Sequence, residues 1–119
     1  MKRQIVAVLG TVALGMSTLM AGDMVTVEDL FTKGATLKGK EVTIKGTVTK
    51  VSEAIMGKNW IHVQDGTGDA NKKTNDILVT TQELPTVGAE VQATGIVATD
   101  VDLGYGYKYQ VLVEKATFK

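Results

Sequence analysis

Cysteine is absent from this chain of 119 residues. Without a thiol, the sequence excludes a disulfide framework, an iron–sulfur cluster, a lipid-modified N-terminal cysteine and thiol catalysis. Histidine and tryptophan occur once each, as His62 and Trp60. No serine–histidine–acid or paired-carboxylate arrangement stands out around the single histidine. We therefore expect a binding protein that is not an enzyme and that carries no cofactor.

Charge of one sign is not in excess either, because 13 basic residues balance 13 acidic ones. Lys2 and Arg3 precede an apolar run that continues to Ala21, and no acidic residue occurs before Asp23. That order is typical of a secretory signal, so we predict a signal peptide at 1–21 and a single domain at 22–119. The run is close to membrane-spanning length, which leaves an uncleaved N-terminal anchor as the alternative.

The predicted mature domain carries 11 basic and 13 acidic side chains. Non-specific nucleic-acid binding depends on neutralising phosphates, and this balance lacks the excess of positive charge that would do so. We therefore expect any nucleic acid to be held weakly. A cysteine-free exported domain fits a Gram-negative periplasm, where we expect a monomer with no stable membrane insertion after cleavage.

The mature chain opens with the pattern of a short helix and continues as strands and turns. Thr26 can cap the helix, and Leu30 can contact the core. Alternating apolar positions then predict five strands, and a phase slip at Lys50 and Val51 predicts a bulge in the first. The first strand begins at Val42, the second covers 59–65, the third 76–81, the fourth begins at Val91, a loop covers 99–106, and the fifth strand covers 107–117.

Two of these strands share a spacing. A glycine, a valine, a second glycine and a second valine occur at Gly39, Val42, Gly46 and Val48, and again at 88, 91, 95 and 97. Mid-strand glycine permits a strand to curl tightly, so both strands are predicted to form equivalent corners of a small closed sheet. Five strands in this layout indicate an all-β, five-stranded Greek-key OB-fold barrel with a short N-terminal helix.

The second strand carries the most informative pattern. Ile61 and Val63 point to one side, whereas Trp60, His62 and Gln64 point to the other. The segment from Trp60 to Gly68 (WIHVQDGTG) resembles the second strand and turn of OB-fold nucleic-acid-binding domains, including the anticodon-binding domains of class II aminoacyl-tRNA synthetases. Residues 25–119 as a whole resemble small exported bacterial proteins with one such domain.

This resemblance implies a site on the outer face of strands one to three. Trp60 occupies the position where the tRNA-binding relatives place a base-stacking aromatic, and Gln64 the position of a polar reader. The predicted ligand-binding residues are Trp60, His62, Gln64, Lys45, Lys58 and Tyr105, with Lys108 as a further candidate. The expected ligand is single-stranded nucleic acid or another small planar polar molecule. Tyr109 is expected to pack inside the barrel, which is one of the possible positions for Tyr107 as well. Asp65 is expected to form a turn by accepting backbone hydrogen bonds.

Two other functions fit the same face. Met56 and His62 supply a thioether and an imidazole, the donors that a soft ion such as Cu(I) prefers. This set is similar to that of small periplasmic copper carriers built on a five-stranded barrel, although the spacing differs. The other alternative is an accessory protein that docks on a periplasmic redox enzyme or envelope complex.

Overall fold

Five long strands follow two short helices. The computed structural model describes residues 22–119, so the predicted signal peptide at 1–21 lies outside the described residues. The elements are a short N-terminal strand Asp23–Met24, α1 Val27–Thr32, α2 Gly34–Leu37, β1 Glu41–Ile55, β2 Lys58–Gln64, a 3₁₀ turn Ala70–Lys72, β3 Ile77–Thr81, β4 Glu90–Asp102 and β5 Lys108–Phe118. None of the helices within residues 22–119 is long and apolar enough to span a membrane.

The strands form one closed sheet in the order β1–β2–β3–β5–β4, with β4 pairing back onto β1. Only β3 and β5 pair in parallel among these five strands, and the short N-terminal strand adds a parallel pairing beside β1 at Val42 and Thr43. This order is the Greek-key barrel of the OB-fold, in which closure leaves few open strand edges. The predicted fold class is confirmed.

A bulge in β1 allows that strand to serve two neighbours. Val48 pairs with Val63, but the next pair along the ladder joins Lys50 to His62, so Thr49 is an extra residue on β1. The first half of β1 pairs with β4 and the second half with β2. The predicted phase slip therefore falls one residue before its predicted place, and it marks the bend expected of a bulge.

The glycines of the repeated spacing lie at two close approaches between strands. A Cβ atom on Gly46 would lie 2.5 Å from the carbonyl oxygen of Gln64, and one on Gly95 would lie 2.6 Å from that of Glu114. Each site therefore excludes any side chain, because real Cβ atoms do not approach oxygen so closely. Both corners of the barrel depend on this contact, as the spacing predicted.

Apolar side chains form two separate clusters. The larger cluster fills the barrel and includes Ile61 and Val63 of β2, together with Val27 and Leu30 from α1. The smaller cluster lies on the outer face and joins one residue from each of β2, β3 and β5. Its buried members are Trp60, Leu78 and Leu112, with Ala98, Val101, Leu103 and Tyr109 packed against them.

Helix α1 is held at its N-terminus by two sets of contacts. Thr26 and Asp29 form a reciprocal capping box. Asp65, in the turn after β2, accepts a hydrogen bond from the Val27 amide at 2.8 Å and one from the Thr67 amide at 3.0 Å. Asp65 is thus the predicted turn-former, and it also satisfies a helix amide 38 residues away in sequence.

The chain between the fourth and fifth strands differs from the prediction. Residues 99–106 were expected to form a loop, but β4 continues to Asp102, which pairs with Lys108 of β5. Asp100 adopts a left-handed conformation (φ 53°), which breaks the alternation on which the strand prediction depended. Only the segment Leu103 to Tyr107 forms the connection, and the Tyr107 amide donates to the Gly104 carbonyl at 2.9 Å.

Candidate ligand-binding groove

The hairpin between β1 and β2 forms one wall of a groove. Ile55 pairs with Lys58, so Met56 and Gly57 are the two residues of the turn. Both have positive φ, at 54° and 78°, as a type I′ turn requires. Asparagine is the usual residue at the first position, and a bulky side chain there is uncommon. The turn places the thioether of Met56 at the rim of the groove, where 59% of the residue is exposed.

The hairpin between β4 and β5 forms the opposite wall. Tyr105 and Gly106 repeat the pair of positive φ values seen at the first hairpin. Between the two hairpins lies a cavity of about 390 Å³. The cavity is lined by Lys50, Ser52, Ile55, Met56, Trp60, His62, Leu78, Leu103, Tyr107 and Tyr109.

Cross-strand pairing arranges the floor of the groove. Lys50 of β1, His62 of β2 and Leu78 of β3 form one row, and Ser52 and Trp60 form the next. Directly paired residues on one face of an antiparallel sheet have Cβ atoms about 4.5–5.5 Å apart. A cationic side chain, an imidazole and an indole therefore lie together on the outer face, while the alternate residues of β2 fill the barrel.

Trp60 lies on the predicted face but is covered rather than exposed. Only 7% of the residue is accessible, because it packs on Leu78 and Leu112 in the outer cluster. Its Nε1 donates a hydrogen bond of 2.7 Å to the Ile55 carbonyl, and its ring centroid lies 6.5 Å from that of Tyr109. The expectation of an open stacking platform is therefore wrong. The indole instead contributes part of a wall.

His62 is oriented by a carboxylate that the sequence reasoning missed. Its Nδ1 donates to Oδ1 of Asp76 at 2.7 Å, and Gln64 Nε2 donates to Oδ2 of the same residue at 3.0 Å. A neutral imidazole with its proton on Nδ1 keeps a lone pair on Nε2, which can accept a hydrogen bond or bind a metal. Gln64 is engaged in orienting this carboxylate rather than facing the groove.

The other predicted residues lie around the groove rather than in it. Lys45 and Gln64 line a neighbouring cavity of about 600 Å³ together with Asp65 and Glu90. Lys58 is absent from the lining of the groove, but its Nζ lies 5.8 Å from the Trp60 ring centroid.

The tyrosines are also placed differently from the prediction. Tyr105 is fully exposed at the hairpin tip and does not line the groove, whereas Tyr107 and Tyr109 do. Tyr109 packs on the outer cluster and not inside the barrel. Tyr109 pairs with Val101 of β4, and both residues pack against the outer cluster.

Asp76, Lys50, Tyr107 and Tyr109 are among the lining or positioning residues that the sequence did not predict. Asp76 immediately precedes β3, and the register that pairs Ile77 with Val63 brings it beside His62 and Gln64. The register cannot be read from the polar residues before Asp76. The sequence therefore carries no local signal for the pairing of His62 with Asp76. Across residues 22–119, no group of three or more histidine, cysteine, aspartate and glutamate side chains could hold a metal ion.

A closed Greek-key sheet with a groove between its first and last hairpins places this chain among OB-fold domains. No protein-family model matches the chain, and no curated protein matches it. Among solved structures it is similar to a chain described as an aspartyl-tRNA synthetase from Leishmania major Friedlin, with a TM-score of 0.55 and 12% identity. The match covers 91% of this chain and 23% of the synthetase chain. At this identity the likeness concerns the fold alone, and it agrees with the resemblance of the segment from Trp60 to Gly68 to synthetase OB-fold domains.

Proposed function

We propose that this protein is a non-catalytic, periplasmic binding module that holds a planar polar ligand, of the kind found in nucleic acids, in the groove between its two hairpins. The observation that carries this proposal is the lining of one cavity by Trp60, Tyr107 and Tyr109 together with Lys50 and His62. Aromatic rings offer contact to a flat ring of any identity, and the polar groups orient it. The nucleic-acid-binding-like character of the fold supports the same choice.

The arrangement favours weak binding. Stacking of a base on an aromatic side chain is worth about 1–3 kcal/mol by alanine substitution. Trp60 exposes little of its ring, so Tyr107, which is 60% exposed, provides most of the accessible aromatic surface. Lys50 contributes one cation near the floor of the groove, and an oligonucleotide held by so few cations dissociates readily in salt.

A fluorescence titration tests this proposal, because Trp60 is the sole tryptophan and lines the groove. Short single-stranded DNA should change its emission, and Tyr107→Ala should weaken binding by roughly 5- to 150-fold, which corresponds to the loss of one stacking contact. Tyr105→Ala is the matched control, since that tyrosine belongs to the same hairpin but stays outside the groove. Equal affinities in both variants, or no response to any nucleotide, would refute the proposal.

A soft-metal carrier is the second candidate function, and one observation favours it. Met56 and His62 line the same cavity, and Asp76 already holds the Nδ1 side of the imidazole. A metal-binding histidine commonly donates its other N–H to a carboxylate in this way. Nε2 of His62 and the sulfur of Met56 would then be the two protein donors offered to Cu(I).

Titration with Cu(I) under anaerobic conditions separates the two functions. The carrier predicts binding of one equivalent with quenching of Trp60, abolished in both Met56→Ala and His62→Ala. Met24→Ala is the control, since Met24 is as exposed as Met56 but lies on the N-terminal strand. Binding that survives His62→Ala would exclude this site.

Export is the remaining part of the proposal. Mass spectrometry of the protein recovered from the periplasm should find a new N-terminus near Gly22. Recovery of intact Met1 from the cytoplasm would contradict both the signal peptide and the periplasmic location. If neither nucleotides nor Cu(I) bind, docking on a periplasmic protein becomes the function to examine next.

A further inference from the structure

The charges beside the groove change sign within a short distance. Lys50 is the one lysine among the described residues that line the cavity itself. Along β1, the next lysine is Lys45, and it shares its cavity with Asp65 and Glu90. If a nucleic acid strand ran from the groove toward Lys45, its next phosphate would lie near two carboxylates and one ammonium group.

On two further sides of the groove, the lysines are again accompanied by carboxylates. Toward β4 and β5, Lys108 lines a cavity with Asp100 and Asp102. Below the groove, Lys58 and Lys115 line a cavity with Glu83 and Glu114. Every lysine next to the groove is therefore matched or outnumbered by carboxylates. Proteins that bind a nucleic acid strand require a continuous positive track along its backbone, and this surface provides a single cationic position.

The aromatic side chains available for stacking are also confined to the groove. The ring centroids of Trp60 and Tyr109 lie 6.5 Å apart, with the ring planes tilted by 30°. A base held between two rings needs a separation of about 7–8 Å, twice the contact distance between carbon atoms, so these two rings form one wall. Tyr107 lines the same cavity from the hairpin between β4 and β5. None of the other phenylalanine and tyrosine residues among those described lines this cavity, since Phe31 and Phe118 pack against the barrel core and Tyr105 is fully exposed. Among the described residues, the aromatic surface suited to stacking therefore belongs to this one cavity.

The polar groups in the groove indicate which substituents a bound ring should carry. When the ring is neutral with its proton on Nδ1, His62 offers an acceptor at Nε2, which favours a ligand with an N–H or O–H donor. Lys50, paired with His62 across the strands, offers a cation to an anionic group. The volume of about 390 Å³ lies near the lower end of the range for small-molecule sites.

We propose that the groove binds a single planar ring that carries one hydrogen-bond donor and one anionic group, such as a nucleoside monophosphate, and not a nucleic acid strand. This inference rests on the proposed function and narrows its ligand class. It predicts that additional nucleotides add no contacts.

The experiment compares adenosine monophosphate with oligodeoxyadenylates of two, four and eight nucleotides by Trp60 fluorescence at several salt concentrations. We expect the affinity to rise at most in proportion to the number of nucleotides. That rise is purely statistical, because any one nucleotide of a longer strand can occupy the single site. The slope of log affinity against log salt should be no steeper than about −0.7 at any length, as one phosphate contact predicts. Lys50→Gln should remove that slope, whereas Lys45→Gln and Lys108→Gln should leave it unchanged.

The failures of the two proposals can be distinguished. An octanucleotide that binds more than about 50-fold tighter than the monophosphate, with a slope steeper than about −2, would show a strand-binding track. That result would overturn the single-ring inference and leave the proposed function intact. Weaker octanucleotide binding in Lys45→Gln would do the same. If neither the monophosphate nor any oligonucleotide responds, the proposed function fails and this inference fails with it.

Discussion

The Nδ1 atom of His62 lies 2.7 Å from a carboxylate oxygen of Asp76, which immediately precedes the neighbouring strand. A carboxylate only accepts hydrogen bonds, so the imidazole proton sits on Nδ1 and the lone pair of the neutral ring sits on Nε2. The second oxygen of Asp76 accepts from Gln64, which prevents the carboxylate from rotating freely. One aspartate thus determines both the tautomer and the orientation of the imidazole at the floor of the groove.

Replacing this aspartate should alter the imidazole without unfolding the protein. In Asp76→Ala, we expect the ¹⁵N resonances of His62 to change from the Nδ1–H tautomer to a mixture of tautomers. The two side chains are 34% and 28% exposed, so the free energy of unfolding should fall by no more than about 1 kcal/mol. Asp69→Ala is the control from the preceding loop. An unchanged ¹⁵N pattern in Asp76→Ala would show that the pair does not set the tautomer.

Substitutions at the two barrel corners should be costly. A Cβ atom at Gly46 or Gly95 would lie within 2.6 Å of a carbonyl oxygen on the neighbouring strand. The strands must separate to admit it, so Gly46→Ala and Gly95→Ala should each lower the free energy of unfolding by roughly 2–3 kcal/mol or more. Urea denaturation measures this change.

Gly34→Ala provides the matched comparison for the corners. The nearest atom to its added Cβ would be Thr99 Cγ2 at 3.6 Å, an ordinary contact, and Gly34 lies in helix α2. Alanine there should be neutral or stabilising by up to about 1 kcal/mol. Equal losses at all three positions would mean that conformational freedom, and not the close approach, explains the glycines.

The barrel could be predicted from the sequence because its signals are local. Alternation marks each strand, and the spacing shared by Gly46 and Gly95 marks the two corners. The end of the fourth strand was missed because Asp100 adopts positive φ inside a strand, which a non-glycine residue rarely does. Propensity alone cannot anticipate such a residue.

The candidate site could be predicted only in part. Strand parity placed Trp60 and His62 on the outer face, but it says nothing about what covers that face. Burial of Trp60 depends on Leu112 of β5, and orientation of His62 depends on Asp76. These contacts follow from the pairing of β3 with β2 and β5, which is a property of the folded sheet. The binding roles of all the predicted residues remain predictions.

The turn after β2 should support helix α1. Asp65 accepts hydrogen bonds from the amides of Val27 and Thr67, so Asp65→Ala leaves a helix amide without its partner. We expect a loss of about 0.5–2 kcal/mol in the free energy of unfolding, as for other helix caps.

Hydrogen exchange should accelerate at Val27 in the Asp65→Ala variant. Asp69→Ala, in the same turn region but bonded only to local amides and a threonine, should leave exchange at Val27 unchanged. Protection that persists at Val27 in Asp65→Ala would show that the cap is dispensable.

The capping box of α1 should make stability depend on pH in the acid range. The hydrogen bond from the Thr26 amide, opposed by partial burial and assisted by the charge of Lys33, lowers the pKa of Asp29 below its ordinary value of 3.8. A carboxyl whose pKa is lowered by folding stabilises the folded state above its unfolded pKa, and that contribution disappears as the pH falls through the folded pKa.

The variant Asp29→Asn keeps an acceptor but loses the charge, so its Tm at pH 7 should be lower than that of the wild type by roughly 2–6 °C. The difference should shrink as the pH falls below 3.8 and through the lowered pKa of Asp29 in the folded state, where the wild-type carboxyl takes up its proton. A Tm difference that stays constant from pH 7 to pH 3 would assign the effect to packing of the side chain instead of its charge.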